Sequence, residues 1–331
     1  MMRGTPPAGE DGAMRIVVLT GGIGGARFLR GVRAYAAADG AAVTAVVNVG
    51  DDAIMHGLRI CPDLDSVLYT LGGGADPERG WGRAGESWTV ADELAAYGAE
   101  PQWFSLGDRD LATHLVRTTM LNAGYPLSAV AAALSRRWKP GVDLLPATDQ
   151  RLETHVVVED GDGQRAIHFQ EWWVRHRAQL AARRFVFVGA DQAEPAPGVC
   201  EALAAADVVL IAPSNPVVSI APVLAVPGLR EAVVAGPAPV VGVSPIIDGT
   251  PVRGMADKCL AAVGAQCSAA GVGALYGARS AGGLLDAWLV DEVDADAAVP
   301  GVAVHPVPLW MTDDDATEAM VRAALRAAQS R

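Results

Sequence analysis

The sequence predicts an α/β protein with a doubly wound, Rossmann-like fold, built on a mainly parallel sheet and carrying a mostly helical insertion. Three observations predict it. The chain opens as strand, glycine turn, helix and strand; its middle reads as a run of helices; short β-branched segments then alternate with helices again.

Arg15 to Thr20 (RIVVLT) is β-branched and without polar alternation, as a strand buried on both faces should be. Gly21 to Gly25 supply a turn, and Ala26 to Ala38 follow with Phe28, Leu29 and Val32 at helical spacing. Val43 to Asn48 completes the βαβ unit. From Pro62 to Pro140 the spacing predicts helices at Leu64 to Leu71, Val90 to Tyr97, Leu111 to Asn122 and Leu127 to Trp138. Glu153 to Val158 and Arg165 to Gln170 read as a hairpin closed by Asp160-Gly161-Asp162-Gly163. The α/β rhythm resumes with strands at Phe185 to Gly189, Val208 to Ala212, Val240 to Ser244 and Ala287 to Val290, and a last helix at Asp314 to Ala328. On this reading residues 14–61 and 141–331 form a nucleotide-binding core, and 62–140 form the insertion. Residues 1–13 read as a disordered upstream extension, with Met14 as the working start.

Composition narrows the function. At 331 residues and 51% apolar content the chain can bury a full core. A net charge of −12 with no Lys/Arg-rich run repels a polyanion overall and argues against nucleic acid as a partner, while a local pocket can still take a small anion. Cys61, Cys200, Cys259 and Cys267 fit no zinc spacing, and no secretory h-region lies between Met1 and Ala13. Reduced thiols in a cytoplasmic protein are therefore expected. No apolar run is long enough for a membrane span; Val208 to Val218 is broken by Pro213 and Pro216. A homodimer is the default expectation for assembly.

Five motifs carry chemistry. Gly21-Gly22-Ile23-Gly24-Gly25-Ala26-Arg27 lets the backbone approach an anion at a helix start, with Arg27 one turn in as a phosphate clamp. The spacing is neither the dinucleotide fingerprint nor a P-loop, and a plain tight turn is the alternative. Asn48-Val49-Gly50-Asp51-Asp52 ends the second strand, at the sheet edge where ligands bind. With Pro62-Asp63-Leu64-Asp65-Ser66 it puts four carboxylates in a short stretch, a set suited to a hard cation. Caps and turns are the alternative, Asp63 being a possible helix cap. Leu106 to His114 places Asp110 at a helix start and His114 one turn on. Arg109 there could neutralise a phosphate in transfer or could simply pair at the surface. Ser214-Asn215-Pro216 and the stretch from Ser244 to Lys258 follow later strands, so they belong at the same sheet edge as the first motif; Lys258 could reach a phosphate or be a solvated helix charge. Trp81, Trp88 and Trp103 could stack on a flat ring or pack in the core.

Taken in order, GGIGGARFL, NVGDD, PDLDSVLYTL, LGDRDLATHLVR, SNPVVSI and SPIIDG…RGMADKCL resemble the 2-phospho-L-lactate transferase family, and within it the actinobacterial members that transfer phosphoenolpyruvate. The resemblance runs from Met14 to Val307-Pro308-Leu309. It implies a step in making coenzyme F-420: a phosphoenolpyruvyl (or 2-phospholactyl) group passes from a guanosine-diphosphate-linked donor to the deazaflavin alcohol Fo. GMP leaves, and Mg²⁺ is required. By the same resemblance Gly21, Gly22, Gly24, Gly25, Arg27, Ser214, Asn215 and Pro216 hold the nucleotide. Asp51, Asp52, Asp63 and Asp65 hold the metal, and Asp52, Asp63 and Asp65 also meet Fo, in a site to which the insertion contributes. Arg27 and Met255 stand where archaeal members tend to carry Lys and Pro, which favours phosphoenolpyruvate as the donor group. The chemistry asks for positioning and charge neutralisation, with Arg109 beside the phosphate and a carboxylate, Asp51 or Asp65, as base. Two rivals make different expectations. A nicotinamide-dependent oxidoreductase wants an acid where Asn48 stands. A non-enzymatic nucleotide sensor binds guanine nucleotide without turnover.

Overall fold

Arg15–Thr20 (β1) and Ala42–Val47 (β2) are almost wholly buried along their length, and both become inner strands of one parallel sheet. A computed structural model describes residues 12–161 and 163–330, so most of the expected extension, residues 1–11, lies outside the described residues. Gly22–Asp39 (α1) joins β1 to β2. A small antiparallel hairpin follows, Ala53–Met55 (β3) with Leu58–Ile60 (β4). The middle of the chain then forms Pro62–Leu71 (α2), Thr89–Ala96 (α3), Asp108–Asn122 (α4) and Leu127–Trp138 (α5).

Asp143–Pro146 (β5) returns to the sheet, and Glu153–Asp160 (β6), Gly163–His168 (β7) and Ala182–Val188 (β8) leave it. Alternation resumes with Val199–Ala205 (α6), Val208–Ile211 (β9), Ala221–Leu224 (α7), Leu229–Ala235 (α8) and Val240–Val243 (β10). Ile246–Ile247 (β11) and Thr250–Pro251 (β12) make a short hairpin ahead of Ala256–Ala262 (α9) and Ala269–Tyr276 (α10). Ala287–Val290 (β13), Ala303–Pro306 (β14) and Asp314–Gln329 (α11) come last.

The seven-stranded sheet has the order β14-β13-β10-β9-β1-β2-β5, and every neighbouring pair is parallel. From β1 the winding runs one way through β2 to β5; from β9 it runs the other way through β10. The switch point therefore lies between β1 and β9, where Leu19 pairs with Ile211. The doubly wound prediction holds, and all of β1, β2, β9 and β10 end at one rim.

Three expectations change in detail. Helix α1 begins at Gly22, so Gly22, Gly24 and Gly25 lie in its first turns rather than ahead of it. The run at Phe185 to Gly189 is a strand, but as β8 it pairs antiparallel with β6 in a separate sheet ordered β7-β6-β8. Its residues are half-buried or exposed, unlike the fully buried β9, β10 and β13 that build the parallel sheet. The edge strands β5 and β14 escape the sequence because each ends in proline and carries a polar side chain.

One hydrophobic core runs through the parallel sheet, α1, α2, α5 and α11. A second, small cluster of Ala53, Met55, Ile60, Leu106 and Leu111 joins the β3–β4 hairpin to α4. Among the described residues no single helix is long and apolar enough to cross a membrane.

Helices α1 and α11 meet at Gly31, where an added Cβ would lie 2.7 Å from the Thr317 carbonyl oxygen. The neighbour is backbone and cannot swing aside. Gly31→Ala should therefore lower unfolding free energy by about 1–3 kcal/mol, despite alanine's better helix propensity. Urea denaturation checks this; unchanged or raised stability would mean that the helices are not in close contact there.

Candidate active site

The rim is organised by Asn48, the first residue after β2 and fully buried. Its Nδ2 donates to Asp63 Oδ2 at 2.9 Å, to the Val218 carbonyl at 3.2 Å and to Asp51 Oδ1 at 3.3 Å. Its Oδ1 accepts from the Gly50 amide at 2.8 Å. One side chain thus ties the Asp51 turn, the start of α2 and the segment after β9 to the end of β2.

The glycine turn packs against the same group. An added Cβ on Gly21 would come 2.6 Å from Asp63 Oδ2 and 2.9 Å from Asn48 Cβ; on Gly24 it would come 2.7 Å from the Pro213 carbonyl oxygen. Gly25 has no room either, lying against Thr20 and Ser214. Gly22 sits at φ 64°, a left-handed backbone that suits glycine. The Gly22 amide donates to Asp63, and Ser214 Oγ donates to the Gly21 carbonyl at 2.7 Å. The 18-residue α1 has no side-chain cap and no acid in its first turn, so its positive dipole end is directed at this rim.

Asp51, Asp52, Asp63 and Asp65 are all buried, and the four fall into two pairs by charge. Asp52 Oδ2 accepts from Arg59 at 3.0 Å and from the Cys61 thiol at 3.0 Å. Asp65 is bound by the Arg117 guanidinium. Asp51 and Asp63 have no basic side chain bonded to them among the described residues; they share only the Asn48 amide. Burial, then the nearby Asp63 charge, holds the Asp51 carboxyl well above the usual carboxylate range. Burial likewise pushes Asp63 up to about 6, against the opposing bonds from Asn48 and Gly22. Asp52 is also pushed up to about 6, because burial outweighs Arg59.

Two outer groups fix the acid turn. His168 Nε2 donates to the Asp52 carbonyl at 3.1 Å while its Nδ1 accepts from the Gln170 amide at 3.1 Å. The Gly50 carbonyl accepts from the Thr154 amide at 2.6 Å. Asp65, Asp110 and His114 form a further group whose possible ligand atoms lie within 4.8 Å of one another.

The glycine turn thus lies beside two buried acids that have no basic side chain bonded to them among the described residues. The profile described as 2-phospho-L-lactate transferase CofD matches residues 16–321. The chain belongs to the 2-phospho-L-lactate transferase family. A Nocardia farcinica member named phosphoenolpyruvate transferase is 62% identical over 314 residues, covering 94% of this chain and 94% of its own. A member of the same name from Mycolicibacterium smegmatis is 60% identical over 321 residues, covering 94% and 98%. Among solved structures, a Bacillus halodurans protein superposes with a TM-score of 0.61 at 21% identity, covering 95% of this chain and 99% of its own. That likeness shows the fold.

In this 2-phospho-L-lactate transferase family member the other expected residues are placed as follows. Arg27 is exposed in the first turns of α1, on the glycine rim. Asn215 Oδ1 accepts from the Val217 and Val218 amides at 3.0 and 3.3 Å, and Pro216 starts that turn, so the Ser214-Asn215-Pro216 loop is stitched to itself and to the glycines. Arg109 is exposed, its guanidinium beside Gly85 and its amide bonded to Glu86 Oε2 at 2.7 Å; no bond joins it to the four acids. Lys258 donates to the Ala178 carbonyl at 2.8 Å. Trp103 packs on Phe104, while Arg79 lies 5.3 Å from the ring centres of both Trp81 and Trp88.

Sequence reasoning missed Arg59, Cys61, Arg117 and His168 as partners of the acids. A usable signal existed for Arg117: Asp110, His114 and Arg117 recur at i, i+4 and i+7, so α4 turns one polar stripe inward.

Asp63 binds its proton more tightly in the folded chain than in the unfolded one, so without divalent cation its contribution to stability falls as pH rises from about 4 to about 6. Asp63→Asn lacks this loss. Relative to wild type, the variant should gain on the order of 2 kcal/mol between pH 4 and pH 7 in EDTA. Urea denaturation at both pH values measures it; a difference that stays flat, or that moves the other way, contradicts the charge assignment.

Proposed function

We propose that the protein transfers a phosphoenolpyruvyl group from a guanosine-diphosphate-linked donor to the alcohol of the deazaflavin Fo, releasing GMP, as a step in coenzyme F-420 biosynthesis. Family membership and the shared name of its relatives support the reaction class and, with the sequence departures at Arg27 and Met255, the phosphoenolpyruvyl rather than 2-phospholactyl group. The observation that carries the reading is the meeting of the glycine turn with two unneutralised carboxylates on the Asn48 amide.

The donor set fits a hard divalent cation. Among the described residues, Asp51 and Asp63 are buried oxygen donors with raised pKa and no bonded basic partner, and the buried Asp52 Oδ1 also has no hydrogen-bond partner. Asp51 and Asp63 would hold Mg²⁺, with Asp52 beside them. When bound there, Mg²⁺ supplies charge neutralisation for the diphosphate. The backbone at Gly22, Gly24 and Gly25 approaches the donor phosphates, and Arg27 adds an exposed guanidinium at the same helix end. The Ser214-Asn215-Pro216 loop keeps the glycines in place for that approach. Asp63 and Asp65 face the acceptor side from α2. Arg117 bonds to Asp65, which leaves Asp51, with no basic side chain bonded to it among the described residues, to accept the proton of the attacking hydroxyl. Segment 62–140 contributes the acceptor side, where Trp81 is half-exposed beside Arg79, and Arg109 lies at the outer margin. We assign the protein to small-molecule chemistry in the cytoplasm, as a homodimer; its net charge of −12 supports the absence of nucleic acid from this role.

Purified protein with Mg²⁺, Fo and the guanylylated donor should release GMP and form a product more anionic than Fo, and EDTA should stop turnover. Asp51→Asn and Asp63→Asn should each lower kcat by roughly 100-fold. Ion-exchange chromatography of the products checks all of this. Turnover that survives EDTA, or variants with wild-type kcat, would remove the cation role from these two acids.

A further inference from the structure

Asp65, Asp110 and His114 have the donor types and the closeness of a cation site. We propose instead that Arg117 is the resident cation of this cluster, which holds no metal, and that Arg117 acts as a positioning residue for Asp65 and, through Arg59, for Asp52. This rests on the reading above, in which Asp51 and Asp63 hold the cation.

Arg117 is 1% exposed and lies on α4. Its guanidinium bonds to Asp65 Oδ1, reaches His114 Nδ1 at 3.0 Å and donates to the Arg59 carbonyl at 3.3 Å. A guanidinium donates and never accepts. The contact at 3.0 Å therefore makes Nδ1 the acceptor and puts the imidazole proton on Nε2. That is the nitrogen facing Asp110 Oδ2 at 3.4 Å, and once protonated it has no lone pair for a metal. The other tautomer would free Nε2 only by setting an N–H against the N–H of Arg117. Asp65 Oδ2 and His114 Nε2 complete no hydrogen bond: the Nε2–H has the Asp110 carboxylate as its neighbour at 3.4 Å, and Asp65 Oδ2 lies 3.7 Å from the Nδ1 acceptor, its charge answered through Oδ1 by Arg117. A divalent ion placed among them would sit next to a buried guanidinium and be repelled by it.

The same helix aims a second arginine. Thr118 Oγ1 accepts the Arg59 amide at 2.9 Å, and Arg117 donates to the Arg59 carbonyl, so α4 holds this residue of β4 at both backbone groups. The Arg59 side chain then reaches Asp52 Oδ2 at 3.0 Å. Two acids are neutralised from α4 and β4; the two left over share the Asn48 amide, and Asp63 meets the glycine turn.

The test counts bound Mn²⁺ by electron paramagnetic resonance on the full chain, with Mn²⁺ alone as probe. Wild type should bind one ion, and Asp65→Asn should keep it. Because Asp65→Asn leaves Arg117 buried without its partner, the balanced variant Asp65→Asn/Arg117→Met is measured beside it and should also keep the ion. Loss of an ion from either variant while it stays folded by circular dichroism would overturn the proposal. Asp51→Asn retaining the ion would instead end the earlier reading and leave Arg117 in its place. The positioning role is read from kinetics: Arg117→Lys should lower kcat about ten-fold or more while the donor KM changes less than about two-fold. Arg117→Met should fall further than Arg117→Lys. Wild-type kcat in Arg117→Lys, or KM rising in step with the loss, would overturn it.

Discussion

The site depends on one constraint: β1 and β2 end side by side with no space for a side chain between the glycine turn and the acids. Thr20 pairs with Val47 at the ends of the two strands, and Asn48 then turns inward below Gly21. Because a Cβ on Gly21 would overlap both Asn48 and Asp63, the turn and α2 can approach only through glycine. The amide end of α1 and the carboxyl of Asp63 are thereby brought into hydrogen-bond contact. Every later feature of the site is placed by that closeness.

Charge is distributed around it unevenly. Burying four carboxylates in one place costs more than packing can offset unless positive charge or hydrogen bonds answer them. Arg59 answers Asp52 and Arg117 answers Asp65. Asp51 and Asp63 receive one shared amide and the end of a helix dipole, which is too little to keep both ionised. An oxygen-rich pair beside the amide end of a helix is suited to a metal diphosphate, which is the use we propose for it. The helical middle segment contributes by supplying Arg117 from α4, not by adding strands to the sheet.

Much of this was legible in the sequence because the relevant signals were local. The buried β-branched runs gave β1, β2, β9, β10 and β13, and the glycine run gave the rim. The acids were found because they sit within two short motifs next to a strand end. Long-range partners were not legible. Arg117 and Asp65 are separated by 52 positions, and His168 reaches the Asp52 carbonyl across 116. No spacing rule reports such pairs. Arg109 drew attention as a cation able to neutralise a phosphate in transfer, yet it is exposed, while the buried arginine lies two turns further along the same helix. The Phe185 to Gly189 run was assigned to the wrong sheet because its apolar content was read without its half-exposed pattern. The edge strands β5 and β14 are as long as β9, β10 and β13, but each carries a polar side chain and ends in proline, so neither reads as a buried apolar run.

The central claim is that the carboxylates of Asp51 and Asp63 face the glycine turn as one cation and diphosphate site. Crystals grown with Mn²⁺ and GDP test it most directly, because manganese can be located by its anomalous scattering. The account predicts a manganese peak touching Asp51 and Asp63, with the GDP phosphates over Gly22 to Gly25. A peak elsewhere, or nucleotide bound away from that rim, would contradict it.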